Sequence, residues 1–281
     1  MRRIWLWLIA STLLTLGCSH VRRETSASPR FEIAQCQIAA VEASTPSTCD
    51  VAGLLKAFEG EHVASYDHAL RSIRPGQMVI EPQEFSAVKK CGKSTVPGLI
   101  DLISDHNGYI GEAAWRALDD ITNRNPGTYS LGTDPPSAAE RAVVAEKYRK
   151  WWNENKGYTE IDWLKSDLGR HDNEGKAAIY KLGTSGDPVA VSALKPYLAD
   201  KYLRPYVGIA LARLGDRSAI PVLLDDYMGS EWAPMRKEGI CVLYGLTGRM
   251  SNFDPYGTAE SRKIAIEEWK AWWQGQQKPQ D

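Results

Sequence analysis

From residue 51 onward, apolar side chains recur three and four positions apart, the spacing of one face of an α-helix. Val51, Leu54, Leu55 and Phe58 share such a face, and Val63, Tyr66 and Leu70 share another before the turn residues Arg74-Pro75-Gly76. After residue 84 the pattern comes in short helical pairs broken by Gly, Asp, Asn and Pro. Val96, Leu99, Ile100 and Ile103 stripe a predicted helix over 95–104, and Trp115, Leu118 and Ile121 stripe one over 109–121. Helices paired in this way must face each other, and their outer edges need further neighbours. Gly186-Asp187-Pro188 and Gly215-Asp216-Arg217 each open a later helix; in the first, aspartate caps free N–H groups and proline stands where no donor is needed. Only residues 78–82, Met-Val-Ile-Glu-Pro, read as a strand, too short to build a sheet. The expected fold class is all-α.

One stretch is written twice. Residues 114–152 return as 240–273, and Trp151-Trp152 returns as Trp272-Trp273. Self-similarity on this scale signals stacked units, none of which buries its apolar face alone. Each copy adds to a helix pair a polar loop, 123–136 or 248–258, and then a third helix ending in the tryptophans. Ser137 and Glu140 have capping-box spacing and mark the first of these starts. Val144, Tyr148 and Trp151 fall on one face, as do Ala265, Trp269 and Trp272. Burial of each large side chain there contributes roughly 1.5–3 kcal/mol. Consecutive tryptophans cannot share a helical face, so Trp152 and Trp273 are expected to point outward as partner contacts. Tyr129, Phe253 and Tyr256, with Arg124 and Arg249, would extend them into an aromatic and cationic rim. Alternatively, Asn125-Pro126-Gly127 and Asp254-Pro255-Tyr256-Gly257 are simply rigid turns.

Residues 182–228 resemble tandem short HEAT repeats of the lyase type. That family pairs a G-D-x-x-A-[IV]-x-x-L helix with an A-A-x-A-L-x-x-L-G helix. Gly215, Asp216, Ala219, Ile220 and Leu223 match the first half; Gly208, Ala210, Leu211, Leu214 and Gly215 match the second. The resemblance implies an α-solenoid of HEAT-like helical hairpins over 84–281, with a helical cap at 51–83 and Trp-Trp units at 96–152 and 218–273. The family hosts scaffolds, adaptors and a few enzymes on this framework, so the fold alone names no activity.

The N-terminus adds an address. Arg2 and Arg3, an apolar run from Ile4 to Leu16, and Gly17-Cys18 read as an export signal over 1–17. The run is shorter than the ~20 residues a spanning helix needs. Thr15-Leu16-Gly17-Cys18 resembles the lipobox of bacterial lipoproteins, which implies acylation of Cys18, and Ser19 after it implies the outer membrane. The alternative is a secretory signal cut after Ala27. Residues 18–50 then form a tether, polar and Ser-rich at its start. Within it Cys36 and Cys49 are expected to close a disulfide loop in an oxidising compartment, while Cys91 and Cys241, in apolar helical patterns, read as small buried hydrophobes.

Composition narrows the function. The formal charge is −1, and removal of Arg2 and Arg3 brings it to −3, so no basic field exists to gather nucleic acid. Cys91-Gly92-Lys93-Ser94-Thr95 lacks the first glycine of a phosphate-binding loop, since position 87 is Ala87. His20, His62, His68, His106 and His171 show no zinc spacing, and no G-x-S-x-G elbow occurs. The expectation is therefore a non-enzymatic interaction module without cofactor or metal, exported and lipid-tethered, that binds an envelope protein or peptide. The competing expectation is a lyase-like enzyme or a small-ligand or polymer binder that uses the solenoid groove, with a deep pocket joining Arg124, His106 or Glu112.

Overall fold

The computed structural model describes residues 49–71, 81–127 and 134–277. Among these residues every regular element is helical, as the apolar periodicity predicts. The export signal, Cys18, Cys36 and the core of the 78–82 segment lie outside them; Glu81 and Pro82 lead into a helix. No described helix is long and apolar enough to cross a membrane.

Helices α1 (Val51–Phe58), α2 (Glu61–Arg71) and α3 (Gln83–Cys91) open the described chain, and a 3₁₀ turn at Gly92–Thr95 leads into α4 (Val96–Leu102). Asp50 caps α1 through the N–H of Gly53, which locates its start. Phe58, stacked 5.7 Å from Phe85, shares one apolar cluster with Val88, Val96, Leu99, Trp115 and Tyr148. Helices α1 and α2 thus share one core with the first long unit. The start of α1 is also covalently fastened to α3: Cys49 pairs with Cys91, a correction to the Cys36–Cys49 expectation and to the reading of Cys91 as a buried hydrophobe. Sequence proximity favoured the shorter loop, but packing of α1 against α3 brings the more distant cysteine into reach. Cys241 is disulfide-bonded too, so it is likewise not a free apolar filler.

The first long unit continues with α5 (Gly108–Thr122) and α6 (Ala138–Asn155). Ser137 and Glu140 make the capping box that the sequence announces. Next come α7 (Glu160–Lys165), α8 (Asn173–Thr184), α9 (Pro188–Leu194) and α10 (Arg204–Arg213). Asp187 caps α9 through the N–H of Val189, with Pro188 in its first turn. α8 packs on α10 so closely that a Cβ at Gly183 would stand 2.6 Å from Ala210. α11 (Ile220–Val222) runs into a π-helical stretch at Leu223–Met228; α12 (Ala233–Thr247) and α13 (Ala259–Gln276) complete the second long unit. A second apolar cluster runs from Leu164 through α8, α10 and α12 to Trp269.

The two long units match in detail. α5 ends on Asn123 and α12 on Gly248, both left-handed, at φ 56° and 68°. In each, the third helix returns an arginine to the loop carbonyl five residues before it, Arg141 to Pro136 and Arg262 to Gly257. One arginine has changed helices. Arg141 also reaches the carbonyls of Ile103 and Asp105 at the end of the first hairpin helix, and it fits only because position 111 on α5 is glycine. In the second unit Arg236 of α12 holds the corresponding place and donates to the carbonyls of Ser230, Glu231 and Pro255.

Candidate functional site

Three groups of side chains merit examination as sites. Around the end of α5, Asn123 uses its left-handed backbone to aim its amide into a buried polar knot. Its Nδ2 donates to Asp167 Oδ2 (2.8 Å) and the Glu174 carbonyl (3.0 Å), and its Oδ1 accepts from Lys181 Nζ (3.2 Å). Arg124 donates to the other Asp167 oxygen and to Ser166 Oγ. Asp167 is 2% exposed, so this pair is paired, hydrogen-bonded and structural. Burial holds the Lys181 ammonium below its ordinary range, although Asp120, Asp119 and Asp167 pull it back up. Arg124 accordingly fastens α5 to the α7–α8 segment and is not a free rim cation. A groove of 220 Å³ beside it is lined by Arg124, Lys147, Trp151 and Arg170, smaller than the ~300 Å³ at which ligand pockets begin.

The tryptophan pairs form the second group. Trp152 and Trp273 are half-buried, as are Trp151 and Trp272, so the outward-pointing expectation does not separate them. Trp163 of α7 lies edge-on to Trp151 (5.0 Å) and Trp152 (6.1 Å), with its Nε1 donating to the Asn155 carbonyl. At the second pair, Trp272 stands edge-on to Trp269 (5.3 Å), and the Arg249 guanidinium lies 5.1 and 5.3 Å from those two rings. Phe253 is buried at 2%, a correction to its place on the rim: its apolar ring joins the core around Trp269. Tyr256 is 60% exposed, on a turn in which Asp254 accepts its N–H. Tyr129 lies outside the described residues. The turn reading accounts for the other loop as well, since Asn125 Oδ1 accepts from Trp115 Nε1 and from the Gly127 N–H. The predicted set therefore divides between two apolar cores.

The third group escaped the sequence reading. Tyr180 of α8, Tyr202 before α10 and Tyr206 on it are 58%, 41% and 40% exposed. Lys176 Nζ lies 5.0 Å from the Tyr202 ring and 5.2 Å from Tyr206, while Arg213 lies 5.1 Å from Tyr180. Each cation thus reaches across from one helix to a ring of the other. His171 meets Tyr202 at 4.8 Å and hydrogen-bonds Asp200 at 2.7 Å. That bond, then the N–H groups of Leu203 and Tyr202, holds the Asp200 carboxyl below its ordinary range. The i, i+4 spacings Lys176–Tyr180 and Tyr202–Tyr206 were legible; that the two helices lie side by side was not.

No catalytic constellation emerges among the described residues. His106 is almost fully exposed, while Glu112 is buried beside Arg116, so with Arg124 in its knot the three share no described cavity. A larger hollow of 580 Å³ between α2 and the start of α3 is lined by Glu61, His62, Tyr66, Glu81 and Glu84 and contains none of them. No described cluster of His, Cys, Asp and Glu has metal-holding geometry. At Gly92-Lys93 the Glu160 carboxylate accepts the Lys93 N–H (2.6 Å), so an internal anion occupies the turn that a phosphate would need. No protein-family model, curated protein or solved structure matches this chain.

Proposed function

We propose that this chain is a non-enzymatic interaction scaffold of the bacterial cell envelope. In this reading HEAT-like hairpins stack as an α-solenoid, exported and tethered by an acylated Cys18 to the outer membrane, facing the periplasm. The tyrosine-lined face of α8 and α10 is presented to an envelope protein or peptide. The observation that carries the reading is the cross-helix ladder of Lys176, Tyr202, Tyr206, Tyr180 and Arg213. Tyrosine offers a large amphipathic ring with little entropy to lose, and cations stacked on it pre-order the surface before a partner arrives. Exposed rings of this kind are the side chains that dominate interface energetics.

A photo-crosslinking residue placed at Tyr206 in the exporting cell tests it. The expected result is a discrete protein or peptide adduct that disappears with Lys176→Glu and with Tyr202→Ser. Adduct formation indifferent to both changes, or none at all, would remove the face from consideration. Labelling with a fatty-acid analogue tests the address, with loss of label expected for Cys18→Ser.

A further inference from the structure

The first long unit shows what belongs on its tryptophan pair, and in the second no described segment covers the same surface. In the first, the segment after α6 supplies two groups four residues apart. Trp163 covers Trp151 and Trp152, and Asp167 neutralises Arg124 at the end of α5. In the second, Arg249 stands at the position of Arg124, one residue beyond the left-handed cap, and Trp272-Trp273 stands at that of Trp151-Trp152. Neither receives its counterpart among the described residues. No described carboxylate pairs with Arg249, and its Nε is buried without a hydrogen-bond acceptor. Such a donor is costly to leave unsatisfied. No described ring from another element covers Trp273; its ring contact is with Trp272, at 6.2 Å, and both pack against the second apolar cluster while staying half-buried.

We infer that the Arg249, Trp272 and Trp273 face is a docking site for a short segment of a partner protein that carries an aromatic residue on a helical turn and, four positions later in the turn that follows, a carboxylate. The occupant is specified by the copy of the site that is already filled. An aromatic ring would stand edge-on to the tryptophans, as Trp163 does, and a carboxylate would reach the Arg249 guanidinium, as Asp167 reaches Arg124. The site shares no residue with the tyrosine face, and it deepens the scaffold reading on which it rests.

The test uses the full chain and a fluorescein-labelled peptide of residues 157–170, GYTEIDWLKSDLGR, followed by fluorescence anisotropy. Saturable binding is expected, weakened at least about tenfold when Trp163→Ala or Asp167→Asn is made within the peptide. The same loss is expected for Trp273→Ala and Arg249→Gln in the protein, with Arg249→Lys partly retaining affinity because it keeps the charge. The peptide variants need no change in the folded chain, so a destabilised protein variant leaves the test intact. Absence of saturable binding, or binding indifferent to both peptide changes, overturns the inference. Concentration-dependent dimerisation abolished by Trp273→Ala would assign the face to a second copy and overturn it as well. Either failure would leave cross-linking through position 206 untouched, so the two proposals can fall separately.

Discussion

Arg141 and Arg262 hold equivalent places in the repeat, yet their removal should have very different consequences. Arg141 is 5% exposed and donates to the carbonyls of Ile103, Asp105 and Pro136, whereas Arg262 is half-buried and donates to that of Gly257. A hydrogen bond from a charged donor contributes about 1.5–3 kcal/mol, and water entering the vacated space recovers part of it. Arg141→Ala should therefore cost about 3–5 kcal/mol and Arg262→Ala about 1–2 kcal/mol. Arg236→Ala should resemble the former, because Arg236 serves the carbonyls of Ser230, Glu231 and Pro255. Gly111→Ala should cost about 1–3 kcal/mol by overpacking, since its Cβ would meet the Ile103 carbonyl at 2.6 Å and Arg141 Nε at 2.7 Å. Urea unfolding followed by circular dichroism measures each cost from the midpoint at constant slope. If Arg141→Ala and Arg262→Ala fall within about 1 kcal/mol of each other, the exchange of the clamping arginine between helices is wrong.

The Cys49–Cys91 bond closes 42 residues, so its loss through Cys49→Ser should destabilise by about 4 kcal/mol in the chain-entropy description; peptide mapping without reduction should recover these two cysteines together, and recovery of Cys36 with Cys49 would reject the pairing. Trp163→Ala should cost about 3–5 kcal/mol and raise the quenching of the α6 tryptophans by acrylamide, because the ring is 2% exposed and covers both. Asn123→Gly keeps the left-handed backbone but leaves Asp167 and Lys181 short of partners, so a loss of about 1–3 kcal/mol is expected; an unchanged midpoint would deny the knot its role. Ser137 lowers the Glu140 carboxyl, Thr159 lowers Asp162, Arg170 lowers Asp172 and His171 lowers Asp200, each by hydrogen bonding. A folded pKa below the unfolded one gives stability that is present above the ordinary values of 4.5 and 3.8 and lost as pH falls through the folded ones. The melting temperature should therefore fall in that acid range, and less so in Asp172→Asn and Asp200→Asn.

Helices were legible because their signals are local. The apolar stripe of 95–104, the Ser137 box and the Asp187-Pro188 start all act within one turn, and each appears within a few residues of its expected place. Side-chain fates that depend on a neighbouring element were not legible. Phe253 and Tyr256 sit three positions apart in one loop, yet one is buried against the core and the other faces solvent. Arg124 reads as a loop cation until Asp167, from beyond α6, turns toward it. The disulfide misled for the same reason: loop entropy favours Cys36–Cys49, but packing of α1 on α3 decides for Cys91.

A repeat multiplies the information in a chain, because a difference between copies is as readable as a likeness. The carbonyls before the second helix of each unit are held by Arg141 of α6 in one copy and by Arg236 of α12 in the other, so the demand belongs to the unit and the supplier differs. The same reasoning applies to the tryptophan pairs. Were there no demand for a cation at position 249, a neutral residue would serve there and leave no buried donor without an acceptor. Arginine stands there, with its guanidinium laid on Trp269 and Trp272 and its Nε without a hydrogen-bond partner. Lysine would keep a cation over the rings but not the planar fork that matches a carboxylate delivered next to an aromatic side chain. Arg249→Lys therefore separates the two roles: fold stability should change little, while affinity for the 157–170 peptide should fall, and equal losses in both would reduce Arg249 to packing.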